Sequence, residues 1–254
     1  MPLILTVTPD QIHLAQPYNL RLAHMAYRIG PGPHLLRASI PVSLRGGYMV
    51  ISDQQFDTRG DLNPFLQEVV RECSIRSFEG VICDFEGSFS VLLGKLISAL
   101  GEGLARRNLP LFVTEAYASS SNHAKVIVSS AISGGSLRQR LKEVMEQYGE
   151  KRVAMTVERM AEDFYLPAPG GTGTTLTQEE LKNRIARRGP SIYFSSELCA
   201  HYFTYMNRDS GAHFVLFDDA SSIRKKIQIA HQAGITDILL VYAEVDDLLT
   251  ELLE

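Results

Sequence analysis

The chain has 254 residues, 45% of them apolar and 21% charged, with 19 Gly, 11 Pro and a formal net charge of −4. That profile excludes collagen, coiled coil, a disordered tail and a disulfide-stapled miniature protein. A pI near 6.0 with well-mixed charge also argues against a dedicated nucleic-acid surface, which needs a clustered basic face. The short basic runs Arg106–Arg107, Arg187–Arg188 and Arg224–Lys226 read as solvated helix faces.

Cys73, Cys83 and Cys199 form no CxxC pair, so neither a metal knuckle nor a disulfide framework is expected. The histidines show no H-x-H or HExxH spacing, and Ser129–Ser130 and Ser195–Ser196 lack a nucleophile elbow. No metal or cofactor is implied. The opening apolar run, Leu3 to Val7, is too short for a signal-peptide core, and nothing approaches the ~20 apolar residues of a membrane span. The expected setting is cytoplasmic or spore-associated.

In chain order, strand-like runs fall at Leu3–Val7, Leu20–Tyr27, Tyr48–Ser52, Gly80–Glu86, Leu109–Glu115, Lys125–Ser130, Arg152–Val157 and Ile238–Glu244. Helical spacing lies between the later ones. Asp61 is placed to cap a helix through Phe65, Leu66, Val69 and Val70. Val91 to Arg107 puts Leu92, Leu96, Leu100 and Leu104 on one stripe. Ser136 to Tyr148 turns Leu137, Leu141, Val144 and Met145 inward and stops at Gly149. Thr177 and Glu180 form a capping box ahead of a helix ending at Gly189. Ser222 to Ala233 buries Ile223, Ile227 and Ala230 and stops at Gly234.

This alternation predicts an α/β fold, a single-domain (β/α)₈ barrel over residues 1–254. Two stretches interrupt it. Ala168–Thr175 reads as a loop without the Gly-Lys-Ser/Thr ending of a phosphate cradle. Residues 192–217 carry two aromatic-rich runs, Tyr202–Met206 and His213–Phe217, around a turn, and read as a small inserted hairpin. Met155 and Met160 are expected in the core.

The chemistry concentrates in F-E-G-V-I-C-D-F-E, Phe78 to Glu86. Strand alternation puts Ile82, Asp84 and Glu86 on one face, toward the lumen, and Val81, Cys83 and Phe85 on the other, toward the helices. Asp84 and Glu86 also sit at the carboxyl end of their strand, where barrel enzymes place reacting groups. Two like charges this close raise one carboxyl pKa, as a proton donor near neutral pH requires. The bland alternative is a solvated strand end or an ion pair with an arginine.

The segment resembles the fourth-strand signature of glycoside hydrolase family 18, the chitinase-like (β/α)₈ barrels, and His201–Tyr242 is similar to the C-terminal part of its spore- and peptidoglycan-associated bacterial members. The resemblance implies Glu86 as general acid/base and Asp84 as the residue orienting the substrate's 2-acetamido group. That group is the nucleophile in this substrate-assisted retaining chemistry. The implied partner is a glycan with 2-acetamido sugars.

The chain departs from the family at Ile82, where a second aspartate is usual. It departs again at Ser129, Ser130, Ala131 and Ile132, where Met-x-Tyr-Asp is usual, and at Val241, where a tryptophan floors the sugar site; the chain has no Trp. Tyr117, Glu115, Glu158 and Tyr242, just past the fifth, seventh and eighth strands, are the candidate substrate-binding residues; Arg159 and Glu244 lie beside them. Two functions stay open on the sequence: a glycosidase, or a degenerate barrel that binds glycan or protein without turnover.

Overall fold

A computed structural model of the chain describes residues 3–39, 44–54, 56, 61–167, 173–207 and 211–254. Its strands are β1 (Leu3–Val7), β2 (Arg21–Gly30), β3 (His34–Arg37), β4 (Tyr48–Ser52), β5 (Gly80–Asp84), β6 (Leu111–Thr114), β7 (Ala124–Ser129), β8 (Val153–Val157), β9 (Ala161–Tyr165), β10 (Thr174–Thr175), β11 (Tyr193–Ser195), β12 (Ala200–Asn207), β13 (Gly211–Phe217) and β14 (Ile238–Val241). Its helices are α1 (Ile12–Ala15), α2 (Asn63–Arg76), α3 (Val91–Ala105), α4 (Leu137–Tyr148), α5 (Gln178–Arg188), α6 (Ala220–Gln232), α7 (Tyr242–Val245) and α8 (Leu249–Leu253).

The strands β1, β14, β8, β7, β6, β5, β4 and β2 are hydrogen-bonded in that order, and β1 pairs again with β2. The ring closes as a (β/α)₈ barrel. Each of these strands falls on one of the runs expected from sequence. The alternation of side chains explains the filled lumen: Ile4, Ala23, Tyr48, Val50, Ile82, Phe112, Ala154 and Leu239 form one cluster, with Ile127 against it. Every stave contributes to that layer. Ile82 sits between Val50 and Phe112 in the strand register, so the expected lumen face of β5 is the observed one.

Local chemistry sets the helix ends. Thr177 and Glu180 form the expected capping box, and Gly189 ends α5 at φ 52°. Gly149 follows α4 at φ 96°. Helix α6 starts two residues earlier than expected, because Asp219 and Ser222 form the capping box and Ser222 lies inside it. Asp61 does not cap α2; its carboxylate accepts the Asn63 N–H at 3.1 Å, and Leu62 takes the cap position. On α3, Leu96, Leu100 and Leu104 are buried, whereas Leu92 is half-buried and Leu93 and Ile97 widen the apolar stripe.

The chain divides into two compact units, one of Met1–Val128, Val144–Thr156 and Ile235–Ala243, the other of Ser129–Glu143, Val157–Gly234 and Glu244–Glu254. The second holds a five-stranded antiparallel sheet, ordered β10-β9-β13-β12-β11. The expected hairpin is present as β12 and β13, paired from His201–Phe217 to Asn207–Gly211, but it is the centre of this larger sheet. Leu181 of α5 packs with Phe203, Val215 and Phe217 on one face. Part of the expected 168–175 loop is strand β10; residues 168–172, and 208–210 of the hairpin turn, lie outside the described residues.

One expectation is overturned outright. Lys226 is not on a solvated face: it and Asp218 are both completely buried, with their charged groups 2.5 Å apart. The Ser222 hydroxyl donates to Asp218 at 2.7 Å and the Met160 N–H at 3.0 Å, so the carboxylate is fully engaged. Met155 and Met160 are in the core as expected.

Candidate active site

Strand β5 ends at Asp84, and the segment from Phe85 to Ser90 leads into α3. Four contacts hold this segment. The Thr114 hydroxyl at the end of β6 donates to the Phe85 carbonyl at 3.2 Å. The Asp53 carboxylate, just past β4, accepts the Glu86 N–H at 3.4 Å. The Tyr117 hydroxyl accepts the Ser90 N–H at 3.1 Å. The Ser90 side chain accepts from Leu93 and caps α3. Phe85 points inward, edge-on to Tyr117 at 5.6 Å, which leaves its neighbour Glu86 facing solvent.

Asp84 and Glu86 open onto a cavity of about 160 Å³ that Thr8, Met25, Val50, Ser52, Asp53 and Gln54 also line. All belong to the carboxyl-terminal side of β1, β2, β4 and β5, the rim where barrel chemistry is placed. Asp84 is half-buried, and its carboxyl is pushed up to about 6. Burial is the largest cause, followed by the negative charges of Glu86 and Asp53. Sequence reasoning expected carboxylate crowding to raise one of the two pKa values. For Asp84, burial is a larger cause than that crowding.

The remaining candidates are not drawn together around this cavity. Tyr117 is completely buried. Its short connection explains this: between β6 and β7 the chain makes one 3₁₀ turn, Glu115–Tyr117, in place of a helix, and the ring turns into the wall. It supports the loop and offers no open face to a sugar. Glu115 takes a hydrogen bond from the Tyr148 hydroxyl of α4 at 3.5 Å. Tyr242 begins α7 and is also buried, at 8% exposure.

In the other unit, Glu158 is exposed, and its charge helps raise the pKa of Glu244, whose burial is the larger cause. The Glu244 carboxylate accepts the Arg159 N–H at 3.0 Å, and the Arg159 guanidinium pairs with Asp247 at 2.6 Å. The sixth stave, β7, ends in Ser129, whose hydroxyl accepts the Ala131 N–H at 3.0 Å.

Sequence reasoning missed Asp53 and Phe89. Asp53 gives no signal of its own; only the β4–β5 register, which sets Ser52 beside Asp84, brings it to Glu86. Phe89 is 53% exposed and leans on Tyr117 at 5.3 Å. It is the open aromatic ring on the Glu86 loop. Among the described residues no group of His, Cys, Asp and Glu is arranged to hold a metal, and no helix is long and apolar enough to cross a membrane.

No protein-family model and no curated protein matches the chain. Solved structures do match its fold. Chitinase from Chromobacterium violaceum superposes with a TM-score of 0.67 at 14% identity, covering 98% of this chain and 97% of its own. The spore cortex-lytic enzyme SleL of Bacillus megaterium gives 0.64 at 15% identity, covering 94% of this chain and 69% of its own. A mutant class V chitinase from Nicotiana tobaccum in complex with NAG4 gives 0.68 at 11% identity, over 98% of this chain and 97% of its own. At these identities the likeness is one of backbone fold.

Proposed function

We propose that this chain is a glycosidase of the family 18 type, cutting glycans that contain N-acetylglucosamine. The observation that carries the reading is the pairing of half-buried Asp84 with solvent-facing Glu86 on a pinned loop at the rim of the fourth barrel stave. Its fold neighbours include chitinases and spore cortex-lytic enzymes, so chitin oligomers and cortex peptidoglycan are the polymers to test. On this reading residues 1–254 form one catalytic domain with the antiparallel sheet as an insertion.

In the reaction, the proton held by the Asp84–Glu86 pair is delivered through Glu86 to the leaving glycosidic oxygen, which leaves Asp84 ionised. The substrate's acetamido oxygen attacks the anomeric carbon as that bond breaks, forming a cyclic oxazolinium. Ionised Asp84 accepts the acetamido N–H and steadies the positive ring. The Glu86 carboxylate then takes a proton from water, whose oxygen opens the ring with net retention. Phe89 is the ring on which a sugar face can stack, in place of the absent tryptophan. The test is release of reducing ends, which Glu86→Gln must abolish while leaving the fold intact.

A second reading is glycan binding without turnover. It is favoured by Ile82, which fills the lumen where the family has a carboxylate. Under that reading the unsubstituted protein binds acetamido sugars and cleaves none.

A further inference from the structure

Asp53 is the first residue past β4, and its carbonyl accepts the Phe56 N–H at 3.0 Å, which bends the chain away from the stave. In the β4–β5 register Ser52 stands beside Asp84, so Asp53 comes level with the start of the Glu86 loop.

Two contacts on that loop fix where the Asp53 carboxylate lies. Its Oδ1 accepts the Glu86 N–H at 3.4 Å. Its Oδ2 stands 3.2 Å from the place a Cβ on Gly87 would take, tighter than most Cβ contacts. The carboxylate therefore lies along the backbone of two consecutive loop residues, and the second approach depends on glycine.

Its charge meets no opposite charge there. Asp53, Asp84 and Glu86 share one cavity, and its other walls, Thr8, Met25, Tyr27, Val50, Ser52 and Gln54, include no Lys, Arg or His among the described residues. The neighbouring staves bring none to it. On β2, the Tyr27 hydroxyl donates to Glu72 at 2.9 Å, and Arg28, opposite Ser52 in the register, is exposed outside the lining. On β5, burial pushes the Cys83 thiol up, so it is uncharged. At the end of β6, the Thr114 hydroxyl is donated to the Phe85 carbonyl, and Glu115 beyond it takes the Tyr148 hydroxyl.

Three carboxylates on one cavity, two of them half-buried and none facing a cation, hold a proton to a higher pH than a lone carboxylate does. The Asp53 charge is one cause of the raised Asp84 pKa, after burial and Glu86. We propose that Asp53 is a positioning residue for the Asp84–Glu86 pair: its carboxylate fixes the Glu86 backbone at the rim, and its negative charge keeps the transferable proton on the pair. The assignment rests on the glycosidase reading only for the step that uses that proton.

The test compares the full chain with two variants. Asp53→Asn keeps an oxygen for the Glu86 N–H and loses the charge; Asp53→Ala loses both. Without substrate, ¹³C NMR of labelled aspartate carboxyls, with Asp84→Asn to assign the resonance, finds the Asp84 midpoint lower by about one pH unit in both variants. In the parent the Glu86 amide proton moves downfield as Asp53 ionises, and both variants lose that step. With an N-acetylglucosamine tetramer, the alkaline limb of kcat/KM moves down by the same amount, and kcat at the optimum is about tenfold lower in Asp53→Ala than in Asp53→Asn. An unmoved Asp84 midpoint in Asp53→Asn, a parent Glu86 amide that ignores Asp53 ionisation, or equal kcat in the two variants would each overturn the assignment. A parent that shows both NMR effects and cleaves nothing would contradict the glycosidase reading while upholding the contact and charge assigned to Asp53.

Discussion

The Tyr117 hydroxyl accepts the Ser90 N–H at 3.1 Å, tying the end of the Glu86 loop to the barrel wall. Tyr117→Phe keeps the edge-on packing with Phe85 and removes one hydrogen bond. We expect a loss of about 1 kcal/mol, read as a drop of roughly 2–4 °C in Tm. In the enzyme reading kcat falls more than KM rises, because the loop positions the acid more than it binds sugar. An unchanged Tm and kcat would show that the loop needs no such clamp.

Asp84 gives the stability of the fold a defined pH dependence. Its folded-state pKa of about 6 lies above its ordinary value of 3.8, so folding favours the protonated form. Its contribution is fully present below about pH 4 and is lost as pH rises through 6, amounting to about 3 kcal/mol at most. Asp84→Asn removes this slope. Denaturant unfolding should find the variant progressively more stable than the parent between those limits, with a level difference above them. Parallel stability curves at all pH values would contradict the raised pKa.

Ile82 tests the filled lumen directly. Its side chain lies in the lumen layer among Tyr48, Val50 and Phe112. Ile82→Asp therefore buries an unpaired carboxylate and should cost more than about 3 kcal/mol or prevent folding. Ile82→Val should cost only about 1 kcal/mol. If Ile82→Asp folds normally and gains turnover, the lumen holds polar partners that the packing does not suggest.

The buried Lys226–Asp218 pair makes a separate prediction for the second unit. Lys226→Leu strands a carboxylate and should destabilise by about 3–5 kcal/mol. Lys226→Leu with Asp218→Asn should recover part of that loss, because the stranded charge is gone. Equal unfolding midpoints for the single and double variants would mean that the pair is not coupled.

The barrel was legible because each stave is a short run of apolar and β-branched residues followed by polar turn chemistry. The antiparallel sheet was not. Thr174–Thr175 is two residues long, and Ala161–Tyr165 gains its partner about fifty residues later in β13, a pairing local pattern cannot report. Asp84 was legible from period-two alternation at a strand end, whereas Glu86 lies past the end of β5 on the loop, where that alternation no longer applies and the side chain faces solvent instead of the lumen. Asp53 was not legible, since it meets Glu86 only through inter-strand register, and Tyr117 misled because its position past β6 marks the rim while its ring is buried. Lys226 reads as a surface charge in any local window; its partner Asp218, eight residues earlier, precedes the helix.

The most direct measurement is the anomeric configuration of the first product from an N-acetylglucosamine tetramer, followed by ¹H NMR with the parent protein and with Glu86→Gln. The account predicts a retained β-anomer from the parent and no product from the substituted chain. An inverted product, or turnover that survives loss of the Glu86 carboxyl, would contradict it.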